Sequence, residues 1–224
     1  MMLINETHET IAIPLENVLL KGNLNIPCNA KGLVLFSHGS GSSRFSPRNN
    51  YVAGVLQQDG LATLLFDLLT EREDQDYKTR FNIELLTERL IAVTEWVNIQ
   101  QETMGFRIGY FGASTGAASA LGAAAFFGNG IKAVVSRGGR PDLALQKLPK
   151  VTAPTLLIVG GWDKEVVELN EKAYAKLNCE KKLEIIPKAT HLFEEKGKLE
   201  KVAKSSAVWF NQWLTSKKNK NVQR

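Results

Sequence analysis

Histidine and cysteine are scarce in this chain: three of the first and two of the second among 224 residues. Two widely separated cysteines, Cys28 and Cys179, do not make a disulfide framework, and they read as reduced thiols of a cytoplasmic protein rather than as a bridge. The opening stretch MMLINETHETIAIPLENV has acids and no basic n-region followed by an apolar run, so it lacks the pattern of a secretory signal. No Pro- or Ser-rich linker, charge block or internal repeat divides the chain. One domain over residues 1–215 is expected, followed by a basic, flexible tail at 216–224. Four of the 28 basic residues (Lys217, Lys218, Lys220 and Arg224) lie in that tail without an acid. The body therefore carries 24 basic against 23 acidic residues, which argues against a nucleic-acid partner. Ile108 to Ile131 is free of charge and long enough to cross a bilayer, but Ser114, Thr115, Ser119, Asn129 and repeated glycines make it too polar for lipid. A buried strand followed by a buried helix accounts for it, and no membrane partner is expected.

What the chain does have is a recurrent pattern. Short apolar runs, GLVLFSHG, ATLLFDLL, RIGYFGAS, IKAVVSRGG, TLLIVGG and KLEIIP, alternate with helix-like segments. Runs without polar alternation suit strands covered on both faces, hence a parallel sheet. Ile83, Leu86, Leu90, Val93 and Val97 recur at steps of three and four, as one face of a helix does, and a last helix is expected from Leu199 to Leu214. TIAIPLENVLLKGNLNIP reads as two antiparallel edge strands around a turn. The predicted fold is α/β, a mostly parallel sheet with an antiparallel N-terminal hairpin and helices on both faces.

Ligands of such sheets bind beyond the carboxyl ends of the strands. The runs above end in His38-Gly39-Ser40-Gly41, Asp67, Ser114, Ser136-Arg137 and Asp163, with His191 after the last. Gly112 and Gly116 flank Ser114 in the G-x-S-x-G spacing of a nucleophile elbow, a strand-to-helix turn too sharp for larger neighbours. A serine hydroxyl needs an imidazole to take its proton, and the imidazole needs a carboxylate to hold its tautomer. Taken singly, a late histidine is ordinary, and an aspartate before KEVVELNEKAYAKL is an ordinary helix cap. Together, Ser114, Asp163 and His191 fall at strand ends in the order of an α/β-hydrolase triad. The oxyanion hole would come from the backbone N–H of Thr115 and of Ser40, with Gly41 as the second choice for the latter. His38 then shapes that loop. The rival reading of GSGSSR as a phosphate loop lacks a third glycine and a following G-K-[ST].

The segments LFSHGSGSSRFSPRN, LLFDLLTERE, YFGASTGAASAL, SRGGRPDLA, IVGGWD and THLFEE resemble the dienelactone hydrolase-like branch of the α/β-hydrolase superfamily. The resemblance implies Ser114 as nucleophile, Asp163 as acid and His191 as base, with no cofactor and no metal. Related chains are also found joined to a phosphoribosyltransferase domain. Dienelactone hydrolase proper uses cysteine where this chain has Ser114, so the branch name does not carry the lactone substrate with it.

SRGGRPDLALQKLPKVTAPT leaves space for one short helix between two strands and none for a cap, so an open site for small, soluble esters or lactones is expected. The charged stretch LLTEREDQDYKTRF is expected to overhang that site. A thioesterase or peptidase would use the same triad, and the fold also serves as a non-catalytic small-molecule receptor. Arg137, Arg140 and Arg44 are candidate contacts for an anionic group on the substrate, since a guanidinium fork matches a carboxylate; the plainer reading pairs them with Asp142 or nearby acids. The sequence leaves the oligomeric state open. Deleting residues 216–224 is expected to leave turnover nearly unchanged, as steady-state kinetics of the truncated chain will show; a lost activity would mean that the tail is docked.

Overall fold

The computed structural model describes residues 7–215, and the tail assigned above to 216–224 lies outside them. Two edge strands come first, β1 (Thr7–Pro14) and β2 (Leu19–Ile26), antiparallel to each other as their alternating pattern predicts. Then β3 (Leu33–Ser37), β4 (Ala62–Phe66), β5 (Ile108–Ala113), β6 (Ile131–Arg137), β7 (Thr155–Gly160) and β8 (Lys181–Ile186) run parallel. The order across the sheet is β1-β2-β4-β3-β5-β6-β7-β8. β3, β4, β5 and β7 are buried along their whole length, which is why their sequences are unbroken apolar runs.

Helices cover both faces. α1 (Pro47–Gln58) and α6 (Lys198–Leu214) pack on one side, where Val52, Leu56, Val202 and Phe210 meet Phe36, Phe111 and Val135. α3 (Ile83–Ile99), α4 (Thr115–Phe127) and α5 (Lys164–Lys176) cover the other, and α2 (Tyr77–Arg80) is one turn on the loop after β4. α3 buries Leu86, Leu90, Val93 and Val97, as its spacing of three and four requires. α1 starts where Ser46 accepts a hydrogen bond from the Asn49 N–H at 3.3 Å and Pro47 takes the first helical position.

The chain runs from β3 outward to β4, then crosses back to β5 on the other side of β3. The strand order reverses there, and a crevice opens where the loops after β3 and β5 part to opposite faces. The short helix expected between β6 and β7 is instead two 3₁₀ turns, Pro141–Ala144 and Leu148–Lys150, each with a proline in its first turn. No cap rises over the sheet edge from this connection. Among the described residues no helix is long and apolar enough to cross a membrane.

Candidate active site

The turn from β5 into α4 sits at that crevice. Ser114 has φ +51° and ψ −122°, a conformation costly for a residue with a side chain, held by its own N–H donating to the Arg137 carbonyl at 3.2 Å. Both glycines of the motif are sterically required. A Cβ on Gly112 would lie 2.5 Å from the Ala117 Cα, and one on Gly116 would collide with the Ser37 and His38 carbonyls. Ser114 is half-buried, and its hydroxyl has no hydrogen-bond partner among the described residues.

His191 follows β8 on a short loop. Its Nδ1 lies 2.7 Å from Asp163 Oδ2. A carboxylate can only accept, so the ring proton sits on Nδ1 and Nε2 keeps a lone pair for an incoming proton. Asp163 occupies the cap position of α5, the ordinary alternative considered for it, yet its side chain makes no capping bond and serves His191 instead. Beneath the imidazole is Gly138, at φ +50°, where a Cβ would stand 3.5 Å from the ring Cε1 and Nδ1. Gly138 adjoins Arg137, whose carbonyl holds Ser114, so one turn carries both the histidine and the serine. Buried Asn170 of α5 braces this turn by donating to the Gly139 carbonyl at 3.0 Å. Glu195 accepts from the Thr190 N–H through both carboxylate oxygens, and Glu194 pairs with Arg48 at 3.2 Å, so both neighbouring acids are engaged away from the imidazole.

The loop after β3 runs beside Ser114: a Cβ on Gly39 would be 3.1 Å from the Ser114 Cβ. His38 is buried, donates from Nδ1 to the Gly39 carbonyl at 2.9 Å and accepts the Leu68 N–H on Nε2 at 3.0 Å. Both nitrogens are spent on backbone, and burial pushes its pKa down, so it is a neutral brace between β3 and β4. The Thr115 N–H, first in α4, has no intrahelical acceptor. The Ser40 N–H, expected to face an oxyanion directly, donates instead to Thr115 Oγ1 at 2.8 Å. The first side chain of α4 lies under the loop, within reach of its amide, because the sheet brings the end of β3 against the start of α4.

The arginines separate. Arg140 grips Asp142 through Nε and Nη2 at 2.9 and 2.8 Å, the plainer of the two readings given for it. Arg44 pairs with Asp67 and lies over the Phe45 ring. Each of the two thus has a carboxylate of this chain as its partner. Arg137, only 6% exposed, has no acceptor for its guanidinium among the described residues, and its Nε is sealed without a partner. Burial, with Arg48 nearby, pushes its pKa down to about 10. The overhang expected of LLTEREDQDYKTRF takes the form of α2 and a 3₁₀ turn at Glu73–Gln75, with Asp74 and Glu71 facing Arg44 across a cleft of about 200 Å³.

Sequence reasoning missed Gly138, Asn170 and the Thr115 hydroxyl. The GG after Arg137 is a visible signal for the first, while the others act through contacts between segments remote in sequence. Since Asp163 is the carboxylate on His191, Asp163→Asn is expected to lower kcat by about ten-thousandfold through the wrong tautomer, with Glu194→Gln and Glu195→Gln much milder. Steady-state kinetics of the three variants will decide; a large loss only in the glutamate variants would move the acid elsewhere.

Comparisons with known proteins agree with this architecture. A dienelactone hydrolase family model matches residues 54–216. A crystal structure named as dienelactone hydrolase from Anabaena variabilis superposes with a TM-score of 0.91 at 54% identity, covering 93% of this chain and 99% of that one. Est1E from Butyrivibrio proteoclasticus superposes with a TM-score of 0.75 at 18% identity, covering 91% and 98%, a likeness of fold. Two Mycobacterium tuberculosis proteins with a provisional phosphoribosyl transferase name are 54% identical over 202 residues, which is 90% of this chain and 46% of theirs. The chain thus spans about half the length of the curated relatives it matches. With a family model over most of its length and an eight-stranded sheet that superposes on the Anabaena variabilis structure, the chain belongs to the dienelactone hydrolase family.

Proposed function

We propose that this hydrolase cleaves carboxylic esters or lactones of small, soluble substrates through an acyl-enzyme on Ser114. The observation that carries this reading is the 2.7 Å bond between His191 and Asp163 at the same sheet edge as a strained, unpartnered serine. His191 Nε2 takes the Ser114 proton as Oγ attacks the carbonyl carbon, and the carbonyl π pair moves onto oxygen. Collapse of that intermediate expels the alkoxide, which takes the proton from His191; water then repeats the sequence on the acyl-enzyme. Asp163 steadies the imidazolium in both halves. The provisional transferase name belongs to proteins about twice as long, and the half matched here is the hydrolase sheet.

Small substrates are favoured by the bare β6–β7 connection and by the cleft beside the oxyanion loop. At about 200 Å³, with Arg44, Asp67 and Asp74 among its lining residues, it is smaller than a pocket that engulfs a drug-sized ligand. An anionic group on the substrate is favoured by Arg137. A buried guanidinium without a carboxylate costs several kcal/mol, a cost that a bound anion would offset.

Two measurements test the reading. Ser114→Ala should fold, as circular dichroism will report. It should resist an active-site fluorophosphonate that labels the native protein, and lose p-nitrophenyl acetate hydrolysis by roughly a millionfold, about 8 kcal/mol. Retained turnover would remove Ser114 from the mechanism. Arg137→Met, which keeps the buried volume, should raise KM for a carboxylate-bearing ester by about tenfold or more and leave neutral acetate nearly unchanged. Equal losses on both esters would make the arginine structural, and no loss on either would put it outside the site.

A further inference from the structure

Thr115 enters the reading above only through its backbone N–H, yet its side chain is the better-positioned group. Its hydroxyl accepts the Ser40 N–H at 2.8 Å, across 75 residues of sequence. Thr115 is only 4% exposed, and Oγ1 makes no other hydrogen bond among the described residues. A hydroxyl that accepts one amide still has a proton to donate, and here that proton has no acceptor among the described residues. Leaving such a donor unmade in a buried position is unfavourable, so the arrangement is complete only with an acceptor from outside. Where that acceptor would sit follows from the neighbours. Thr115 directly follows Ser114, and the Gly39–Ser40 segment that binds its hydroxyl passes against the Ser114 side chain, with a Gly39 Cβ only 3.8 Å from Oγ. The Thr115 hydroxyl thus belongs to the same contact of loop and helix that flanks Ser114.

Resting on the serine-hydrolase reading, we propose that the Thr115 hydroxyl is a catalytic oxyanion donor: Ser40 N–H polarises Thr115 Oγ, and Thr115 Oγ–H hydrogen-bonds the oxygen that becomes negative when Ser114 attacks. No proton is transferred in this contact. The Ser114 proton goes to His191, the carbonyl electron pair goes to oxygen, and the threonine chain ends on that oxygen beside the Thr115 N–H. Donors linked in series strengthen one another in a water-poor site. The Ser40 amide, too occupied to reach the oxyanion itself, acts through the threonine as a positioning group. β-Branching restricts the Thr115 χ1, which keeps the hydroxyl directed before substrate arrives.

The test is a pair of variants in the full chain, Thr115→Val and Thr115→Ser, assayed on p-nitrophenyl acetate with melting curves, and with Ser114→Ala alongside. Valine keeps the shape and removes the hydroxyl; serine keeps the hydroxyl and removes the methyl. The expected result is a fall of kcat by 10²–10³ for Thr115→Val, a KM within about threefold of native, and near-native kcat for Thr115→Ser. A native or raised kcat in Thr115→Val overturns the proposal, since the freed Ser40 N–H would then be the donor and the hydroxyl only its cover. Equal losses in the valine and serine variants, or a loss that follows melting temperature, also overturn it by assigning Thr115 to packing. If Ser114→Ala keeps its activity, the serine reading fails and this inference fails with it; if only Ser114→Ala is impaired, the serine stands and the hydroxyl alone is withdrawn.

Discussion

The site depends on one steric constraint, the close approach of the first turn of α4 to the end of β3. Gly116 lies against the Ser37 and His38 carbonyls, and Gly112 lies against Ala117, so the chain has room to reverse only if both lack a Cβ. That reversal puts Ser114 at positive φ and aims its side chain out of the sheet edge. It also brings the loop after β3 across the start of α4, where the Ser40 N–H meets Thr115 Oγ1. A buried bond of 2.7 Å between Ser37 and Ser119 ties the same two elements one turn deeper. Relaxing the approach would displace Ser114 and the loop after β3 together.

Around that fixed point, the protein spends its polar groups on holding backbone rather than on the open cleft. His38 ties two strand ends, Asn170 braces the turn under His191, and Glu195 fixes the amide just before it. Each is a side chain satisfying main-chain groups where loops leave the sheet, the place at which regular ladders stop supplying partners. Asp163 follows β7 and His191 follows β8, adjacent parallel strands paired as far as Gly160 and Ile186, so their 2.7 Å contact joins two loops at one edge of the sheet. Arg137 stands apart as the buried charge for which the described chain provides no counterion.

Several features were legible in order and spacing. Apolar runs announced the parallel strands because burial on both faces leaves no room for alternation, and the Gly112–Ser114–Gly116 spacing announced the elbow because its sterics are local. Ser114, Asp163 and His191 could be nominated because the parallel topology gathers strand ends on one edge, whatever the details of the loops. The two 3₁₀ turns after β6 were less legible: RPDLALQKLPK has the composition of a short helix, but its prolines and the short span to β7 hold it to single turns.

The sequence by itself determined the fold class, the elbow and the identity of the residues at the strand ends, because each follows from burial periodicity or from contacts within a few residues. Only the tertiary structure decided what those residues do with their hydrogen bonds. Asp163 is at a helix start by sequence, and it faces His191 because β8 delivers the imidazole to it. Arg44, Arg137 and Arg140 look alike in the chain, and they differ because Asp67 and Asp142 lie within reach of two of them and no carboxylate among the described residues reaches the third. Ser40 and Thr115 are 75 residues apart, and no local rule brings an amide of one onto the hydroxyl of the other. Partner choice of this kind is set by distances between segments that meet only when the sheet closes its crevice, and sequence spacing does not encode those distances.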